Sequence, residues 1–410
     1  MDPDAFAWLL TPPGQQLLAR AEQACAEHAD PVARAEAVRR TGASAERATT
    51  ALAQAELRIR AVAKFGELAS RMYFTPDGLE QATRLPVARH RAGRLTAATP
   101  HSLLDLGCGI GGDLVAFADA GLTAAGVDTD PLRVAIARAN LEALDLPGAV
   151  QVADGTTLDL SPFDVVYADP ARRGARGRVF DAEGWTPPWS FITSLLRRAS
   201  VVKLAPGLDH DLVPGGIEAE WVSDGGDVKE AVLWSSWLAT CARRATVLGA
   251  GGLATLTEED DPWHLTPADR PVGDVGAFLY EPDGAVIRAG LVTAVAAGVD
   301  GRLVDPRIAW VTADAAYSTP FARGYRVVEE VPFREKPLRA ALRARGIGAL
   351  TIKTRGVAVT PEQLRPRLAL RGDGAATLVL TRVADKGCAF LVEPLSPAQT
   401  APQRHTPPGL

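Results

Sequence analysis

Between Leu103 and Arg173 four apolar runs each close on an acidic residue at the start of a loop, and no other feature restricts the fold of this chain so far. The first run, Leu103-Leu104-Asp105-Leu106, enters a glycine loop, Gly107-Cys108-Gly109-Ile110-Gly111-Gly112, and a helix-like segment follows over 113–120. The second run ends in Gly126-Val127-Asp128, after which the spacing predicts a helix over 131–144. The third ends in Val152-Ala153-Asp154-Gly155, and the fourth, over 163–168, closes in Asp169-Pro170. Strands alternating with helices predict a parallel sheet covered on both faces, and open sheets of that kind bind ligands at the carboxyl ends of their strands.

The residues at those ends suggest what the ligand is. Glycines at 107, 109, 111 and 112 remove side chains where the chain turns tightly, so backbone can touch a ligand. Asp128 stands at the distance from Gly107 at which a second-strand carboxylate accepts hydrogen bonds from both hydroxyls of a ribose. Gly107, Gly109 and Gly112 also satisfy the G-x-G-x-x-G pattern of dinucleotide sites. The sign of the neighbouring charge separates the two readings. An acid at 105 would repel a pyrophosphate, whereas it suits the ammonium group of a cationic aminoacyl-sulfonium tail, and S-adenosylmethionine is thereby favoured over NAD.

The stretch resembles a class I S-adenosylmethionine-dependent methyltransferase, with Asp105-x-Gly107-x-Gly109-x-Gly111 as its cofactor loop. The resemblance implies that Asp128 holds the ribose, that Asp154 beside Gly155 holds the adenine amino group, and that Asp169-Pro170 lies where substrate meets the methyl group. Asp169-Pro170-Ala171-Arg172-Arg173, the later Val201-Val202-Lys203-Leu204-Ala205-Pro206-Gly207-Leu208-Asp209 and the C-terminal segment are similar to bacterial methyltransferases that carry a THUMP-like domain. That likeness implies an α/β protein with an N-terminal helical segment, a Rossmann-like seven-stranded methyltransferase sheet and a C-terminal α/β THUMP-like domain of the sort that elsewhere serves RNA-modifying enzymes. The expected divisions are a helical domain over 1–95, the catalytic domain over 96–245, a linker over 246–273, the THUMP-like domain over 274–395 and a disordered tail over 396–410.

Length and composition agree with several domains. A chain of 410 residues exceeds one ordinary core. Cys25, Cys108, Cys241 and Cys388 form no C-x-x-C pair, which argues against a zinc site or a disulfide framework, so no metal is expected. The N-terminus lacks the basic and then apolar order of a signal peptide, and no apolar run is long enough to span a bilayer; a cytoplasmic protein is expected. The net charge of -5 conceals an asymmetry, because residues 321–371 hold 12 basic and 4 acidic side chains. Such a local excess suits a polyanion, and a solvated arginine-rich helix face reads the same way.

Along the chain, 1–95 reads as helical, with Val32, Ala35, Val38, Leu52, Leu57, Ile59, Val62 and Phe65 as its apolar face and Ser44 as a helix cap. Gln81, Thr83 and Arg89 are candidates for lining the methionine end of the cofactor. After Asp169-Pro170 come Arg172, Arg173, Arg176 and Arg178 among glycines, a basic loop suited to clamping phosphate, with Asp169, Pro170, Arg172, Arg173 and Lys203 as the candidate catalytic set. Trp185 and Trp189 offer faces on which a base can stack, although both can equally anchor the loop. Amino-directed nucleic-acid methyltransferases often show a second proline and then an aromatic after Asp-Pro. Ala171 and Arg172 stand there instead, which leaves Trp189 as the stacking candidate. Asp209 and His210 follow Lys203 closely enough to face the same cleft, with His210 as a proton acceptor. In the C-terminal domain Lys336, Arg339, Arg343, Arg345, Lys353 and Arg355 form the expected phosphate-facing surface. No cysteine stands where a covalent route needs one. The functional expectation is a methyltransferase acting on RNA, a base of tRNA or rRNA; the alternatives are a small-molecule or protein methyltransferase with an interaction module, or a protein that binds the cofactor without catalysis.

Overall fold

The computed structural model of the protein describes residues 2–170, 173–174, 177–178, 187–396 and 400–403. They form two compact units, one of residues 1–204 with 233–238 and the other of 205–232 with 239–410. This division departs from the boundaries expected at 95, 245 and 273. The N-terminal helices belong with the first strands because buried side chains of each hold the other, as detailed below.

In the first unit six helices come first: α1 (Pro3–Leu9), α2 (Pro12–Glu27), α3 (Pro31–Arg39), α4 (Ala45–Phe65), α5 (Pro76–Gln81) and α6 (Leu85–Ala97). The side-chain oxygens of Asp2, Thr11, Asp30, Ser44 and Thr75 each accept a backbone N–H at the start of the first five, which satisfies donors that a helix leaves open. The buried stripe of α4 differs from the expected one. Its Leu57 and Phe65 are buried as expected, but Ile59 and Val62, like Val32 of α3, are exposed, while Ala48, Ala51, Ala55 and Ala61 are buried together with the polar Gln54 and Arg58. Small alanines on this face allow close approach of α2, and the large β-branched residues that set the apparent periodicity point to solvent.

The parallel sheet and its helices follow as β1 (Ser102–Leu106), α7 (Gly112–Asp119), β2 (Thr123–Asp128), α8 (Pro131–Ala143), β3 (Ala149–Val152), β4 (Val165–Ala168), α9 (Trp189–Leu195) and β7 (Ser200–Leu204), with the two-residue β5 (Arg173–Gly174) and β6 (Gly177–Arg178) forming a separate antiparallel pair between β4 and α9 in the chain. Its order is β7-β4-β1-β2-β3, with Leu104 facing Ala125 on one side and Val166 on the other. From β1 the chain winds outward through β2 and β3, and from β4 it winds the opposite way to β7. The order therefore reverses between β1 and β4, and the carboxyl ends of those two strands flank the crevice where such sheets bind ligands.

The second unit contains β8 (Glu218–Asp224) and most of β9 (Asp227–Trp234), joined through Gly225 and Gly226 at φ 64° and 88°, a pair of left-handed residues that suits a two-residue hairpin. With these, the seven strands expected for the catalytic sheet, β1–β4 and β7–β9, are all present. Two more follow: β10 (Arg243–Gly249) runs parallel to β8 and antiparallel to β11 (Gly252–Thr257), so part of the expected linker is paired sheet.

A separate seven-stranded sheet, ordered β13-β14-β12-β16-β19-β18-β17, completes this unit. Its strands and the helices between them are β12 (Phe278–Pro282), α10 (Gly284–Ala289), α11 (Val292–Gly298), β13 (Arg302–Asp305), β14 (Ile308–Ala313), β16 (Ala322–Val331), α12 (Glu335–Ala344), β17 (Ile347–Thr354), α13 (Pro361–Leu368), β18 (Gly374–Val383) and β19 (Lys386–Pro394), while β15 (Tyr317–Ser318) and β20 (Ala401–Pro402) form a separate two-stranded sheet. Leu378 and Leu380 of β18 pack in the core shared with Leu338, Leu342, Leu364 and Leu368, while Val379 between them packs in the opposite core with Trp310 and Tyr325. That alternation is the two-residue period of a strand buried on both faces. Two short helices follow β12 rather than one long one, because Gly290 at φ 72° ends α10 and α11 begins two residues later. The tail is not wholly without structure either, since Ala401 and Pro402 pair with Tyr317 and Ser318.

Candidate functional site

A cavity of about 250 Å³ opens in the first unit, lined by Asp105, Gly107, Gly109, Asp128, Asp154, Gly155 and Asp169, and by Gly78, Gln81 and Thr83 from the segment before α6. The loop after β1 owes its shape to alternating left-handed glycines, 107 at φ 80°, 109 at 56° and 111 at 80°. A Cβ at Gly107 or Gly109 would meet nothing within 4 Å, so their bare backbone faces open space. Gly111 plays a different part from the expected one. It lies outside the lining, and a Cβ there would come 3.1 Å from the Cβ of Ala137, so it permits close packing of α7 on α8.

The carboxylates differ in how far they are already satisfied. Asp128 accepts the N–H of Gly109 at 3.0 Å and of Asp130 at 2.9 Å, one on each oxygen, which fixes the carboxylate and leaves two of its four acceptor sites. Asp154 is exposed; its Oδ1 accepts the hydroxyl and N–H of Thr156 at 2.7 and 2.9 Å, and these bonds hold the carboxyl below its usual range. Asp105 is the exception. It is 1% exposed, and neither oxygen has a hydrogen-bond partner among the described residues. Burial pushes its carboxyl well above the usual range, Asp113 and Asp169 push it the same way, and Arg91 and Lys203 oppose them.

A buried polar chain runs from Arg91 to the cavity wall, which Asp113, Thr83 and Tyr167 line. Arg91, on α6, is ion-paired with Asp113 at the start of α7 and lies 4.8 Å over the ring of Tyr167. The other oxygen of Asp113 accepts the hydroxyls of Thr83 at 2.8 Å and Tyr167 at 3.2 Å. Burial alone would raise Asp113, but Arg91 first, then Lys203 and Thr83, outweigh it and hold the carboxyl below its usual range. Lys203 at the end of β7 donates to Thr83 at 3.0 Å and to Asp169 at 2.6 Å. Lys203 therefore reaches the cavity through Asp169 rather than by lining it, and Pro170 is buried behind it.

Other expected residues fall elsewhere. Arg172, Arg176 and Trp185 lie outside the described residues, as do the side chains of Arg173 and Arg178. Trp189 is half-buried at the start of α9 and does not line the cavity; Phe191, two residues on, does, along with Pro187. Gln81 and Thr83 line it as expected, but Arg89 pairs with Asp119 at the surface, 3.1 Å away. Asp209 caps a short turn through the N–H of Asp211, and His210 stacks on Trp221 at 4.8 Å with Nε2 2.7 Å from the carbonyl of Arg288; neither is among the residues that line the cavity. Arg91, Asp113 and Tyr167 were not foreseen; an acid at the first turn of the helix after a glycine loop was the available signal for Asp113.

The basic surface of the THUMP-like part is more committed than its charge count implies. Arg345 forms a two-pronged pair with Glu329 at 2.6 Å on each prong. Lys353 donates to Glu281 at 2.7 Å, and Arg355 is 3.9 Å from the same carboxylate. Arg339 and Arg343, one turn apart on α12, donate to the carbonyls of Arg367 and Ala369 at 3.3 and 2.7 Å, thereby capping the end of α13. Lys336 is exposed and has no carboxylate partner among the described residues. Among those residues no group of three or more His, Cys, Asp and Glu gathers as a metal site, and no helix is long and apolar enough to cross a membrane.

The donor set fits S-adenosylmethionine: a buried, unpartnered carboxylate suits an ammonium, a two-site carboxylate suits a ribose, and glycine backbone leaves room between them. Comparison with known proteins points the same way. A methyltransferase-domain family model matches residues 103–172, a THUMP-domain-like model 322–394, and a domain of unknown function 2–61. An uncharacterized S-adenosylmethionine-dependent methyltransferase of Mycobacterium tuberculosis H37Rv is 40% identical over 339 residues, which cover 80% of this chain and 90% of that one; its counterpart in strain CDC 1551 matches equally. A crystal structure from Porphyromonas gingivalis W83, provisionally designated a methyltransferase, superposes with a TM-score of 0.70 at 23% identity and covers 92% of this chain and 98% of its own.

Proposed function

Because the chain belongs to the S-adenosylmethionine-dependent methyltransferases, we propose that it methylates a base of structured RNA, of tRNA or rRNA, and that its THUMP-like part grips that RNA by the phosphates. The observation that carries this reading is the overlap of the THUMP-like match, 322–394, with the stretch holding 12 basic and 4 acidic residues, 321–371. S-adenosylmethionine, when bound, supplies an electrophilic methyl group on a sulfonium centre. Asp105 would hold its ammonium, Asp128 its ribose hydroxyls, and Asp154 with Gly155 its adenine. Asp169 lines the cavity and is oriented by Lys203, so its carboxylate can accept a hydrogen bond from the acceptor group and take up its proton. Phe191 and Pro187 give an apolar face against which a base ring can lie. Holding acceptor and donor in line supplies much of the acceleration of such a displacement. A covalent cysteine route is disfavoured, because burial pushes the Cys108 thiol far above its ordinary value, as do the nearby Asp105 and Asp128.

A small-molecule or protein acceptor is the second reading, and the engagement of Arg345, Lys353 and Arg355 by Glu329 and Glu281 favours it. Tritiated methyl transfer into total RNA, protein extract and small metabolites in parallel decides between them. Label that enters RNA and is released by nuclease supports the first; label confined to protein or metabolites supports the second. Affinity for that RNA should also fall linearly as salt rises, on logarithmic axes. Changing Lys336 and Arg339 together to glutamine should flatten the slope by about 2, one for each phosphate no longer neutralised; an unchanged slope would remove these residues from the RNA-binding surface.

A further inference from the structure

Residues 71–83 wall the cavity through Gly78, Gln81, Ala82 and Thr83, yet their only α-helix is the six-residue α5. A helix that short does not persist in water by itself, so its position comes from neighbours. Those neighbours are polar side chains of α4 and α8. Lys64, in the last turn of α4, donates to the carbonyls of Leu79, Glu80 and Ala82 at 2.8, 2.6 and 2.8 Å, the acceptors that the end of α5 leaves open. Arg58, 9% exposed, donates to the carbonyls of Met72 at 2.9 Å and Arg71 at 3.3 Å, and is steadied from behind by Glu22 at 2.7 Å. Gln54, fully buried, accepts the N–H of Phe74 at 3.3 Å.

From the opposite side Asn140 of α8, also fully buried, accepts the N–H of Tyr73 at 2.6 Å and donates to the carbonyls of Tyr73 and Ile110 at 3.1 and 2.8 Å. One side chain thus ties the wall to the glycine loop. There is no slack between them, since a Cβ at Gly78 would fall 2.5 Å from the Cγ2 of Ile110. Polar groups are costly to bury unless each finds a partner, and an apolar α4 would pack as well. What the polar residues of α4 add is a fixed place for the wall's backbone.

We propose that the N-terminal helical region, matched over 2–61 by a domain of unknown function, belongs to the cofactor-binding apparatus: α4 sets the position of the 71–83 wall, with Arg58 and Lys64 as positioning residues. The wall in turn carries Thr83, whose hydroxyl joins Asp113 to Lys203 and so fixes the support of Asp169. This rests on the cofactor reading above. The test is calorimetric titration of S-adenosylhomocysteine into the full chain and its Lys64→Met and Lys64→Arg variants, with hydrogen exchange measured alongside. Lys64→Met should weaken binding at least tenfold and speed exchange at 78–83 while exchange in β1–β4 stays as in the parent, and Lys64→Arg should restore most of the affinity. Arg58→Lys, which keeps a cation beside Glu22 but loses the fork to two carbonyls, gives an independent reading should Lys64→Met not fold. Affinity within twofold of the parent in Lys64→Met and Arg58→Lys, or lost affinity accompanied by faster exchange throughout β1–β4, overturns the proposal. A parent protein that binds no S-adenosylhomocysteine would refute the cofactor reading itself.

Discussion

Asp105→Asn is expected to stabilise the cofactor-free protein at neutral pH and to weaken S-adenosylhomocysteine binding by roughly thirtyfold or more, the effect of about 2 kcal/mol or more for removing one partner of a buried charge pair. Both consequences come from the same isolation. The carboxyl is buried without a partner, and burial raises it well above its usual value, with Asp113 and Asp169 adding to the shift. A raised carboxyl binds its proton more tightly in the folded chain than in the unfolded one. Its contribution to stability is therefore complete below the unfolded value, about 3.9, and is lost as pH climbs through the folded value. Asparagine does not titrate, so the melting temperature of Asp105→Asn should exceed the parent's by a margin that widens as pH rises above about 4. An ammonium bound beside Asp105 would favour its charged form and expel the proton. Binding heats of the parent should accordingly depend on the ionisation enthalpy of the buffer, and those of the variant much less. A margin that shrinks with rising pH would refute the assignment of the buried proton to Asp105.

The second large effect is expected at the ion pair of Arg91 with Asp113, a residue of the cavity wall. Arg91 is 1% exposed and Asp113 9%. Arg91→Met leaves a carboxylate without its cation in that interior and should cost about 3–5 kcal/mol, read as a lower urea midpoint with little change in slope. The pair also dictates an acid limb. Asp113 is held below its usual range, so its contribution is present above the unfolded value and is lost as pH falls through the depressed folded value, below about 4. Arg91→Met should flatten that limb. Adding Asp113→Leu to it should recover much of the lost stability, because replacing both members with apolar side chains removes the stranded charge. A loss under about 1 kcal/mol in Arg91→Met would mean that the pair is solvated and is not the structural support described here.

How much of this was legible in the sequence follows from the range of each interaction. The glycine loop and the acids at 105, 128, 154 and 169 are local, because a strand that ends on a carboxylate before a tight turn shows itself within a few residues. The order of strands around β1 and β4 follows from the alternation of strand and helix. Arg91 and Thr83 meet Asp113 only after chain segments far apart in sequence pack together, so nothing at position 91 marks it. Phe191 rather than Trp189 lines the cavity because the rotation of α9 selects the lining residue, and a seven-residue helix does not reveal its phase. On α4 the spacing of large apolar residues finds the buried Leu57 and Phe65 but also turns the exposed Ile59 and Val62 inward, because alanines, which form most of the buried face, carry little weight in such a pattern. A charge count over 321–371 likewise omits Glu281, which lies 72 residues before Lys353 in sequence yet accepts a hydrogen bond from its ammonium.

The account depends most on S-adenosylmethionine lying in the cavity at the ends of β1, β2 and β4, and calorimetric titration of S-adenosylhomocysteine into the parent and Asp128→Ala tests it most directly. One molecule should bind per parent chain, NAD should give no heat, and Asp128→Ala should bind about a hundredfold more weakly through loss of two hydrogen bonds to a charged acceptor. Tight binding of NAD with none of S-adenosylhomocysteine, or unchanged affinity in Asp128→Ala, would contradict it.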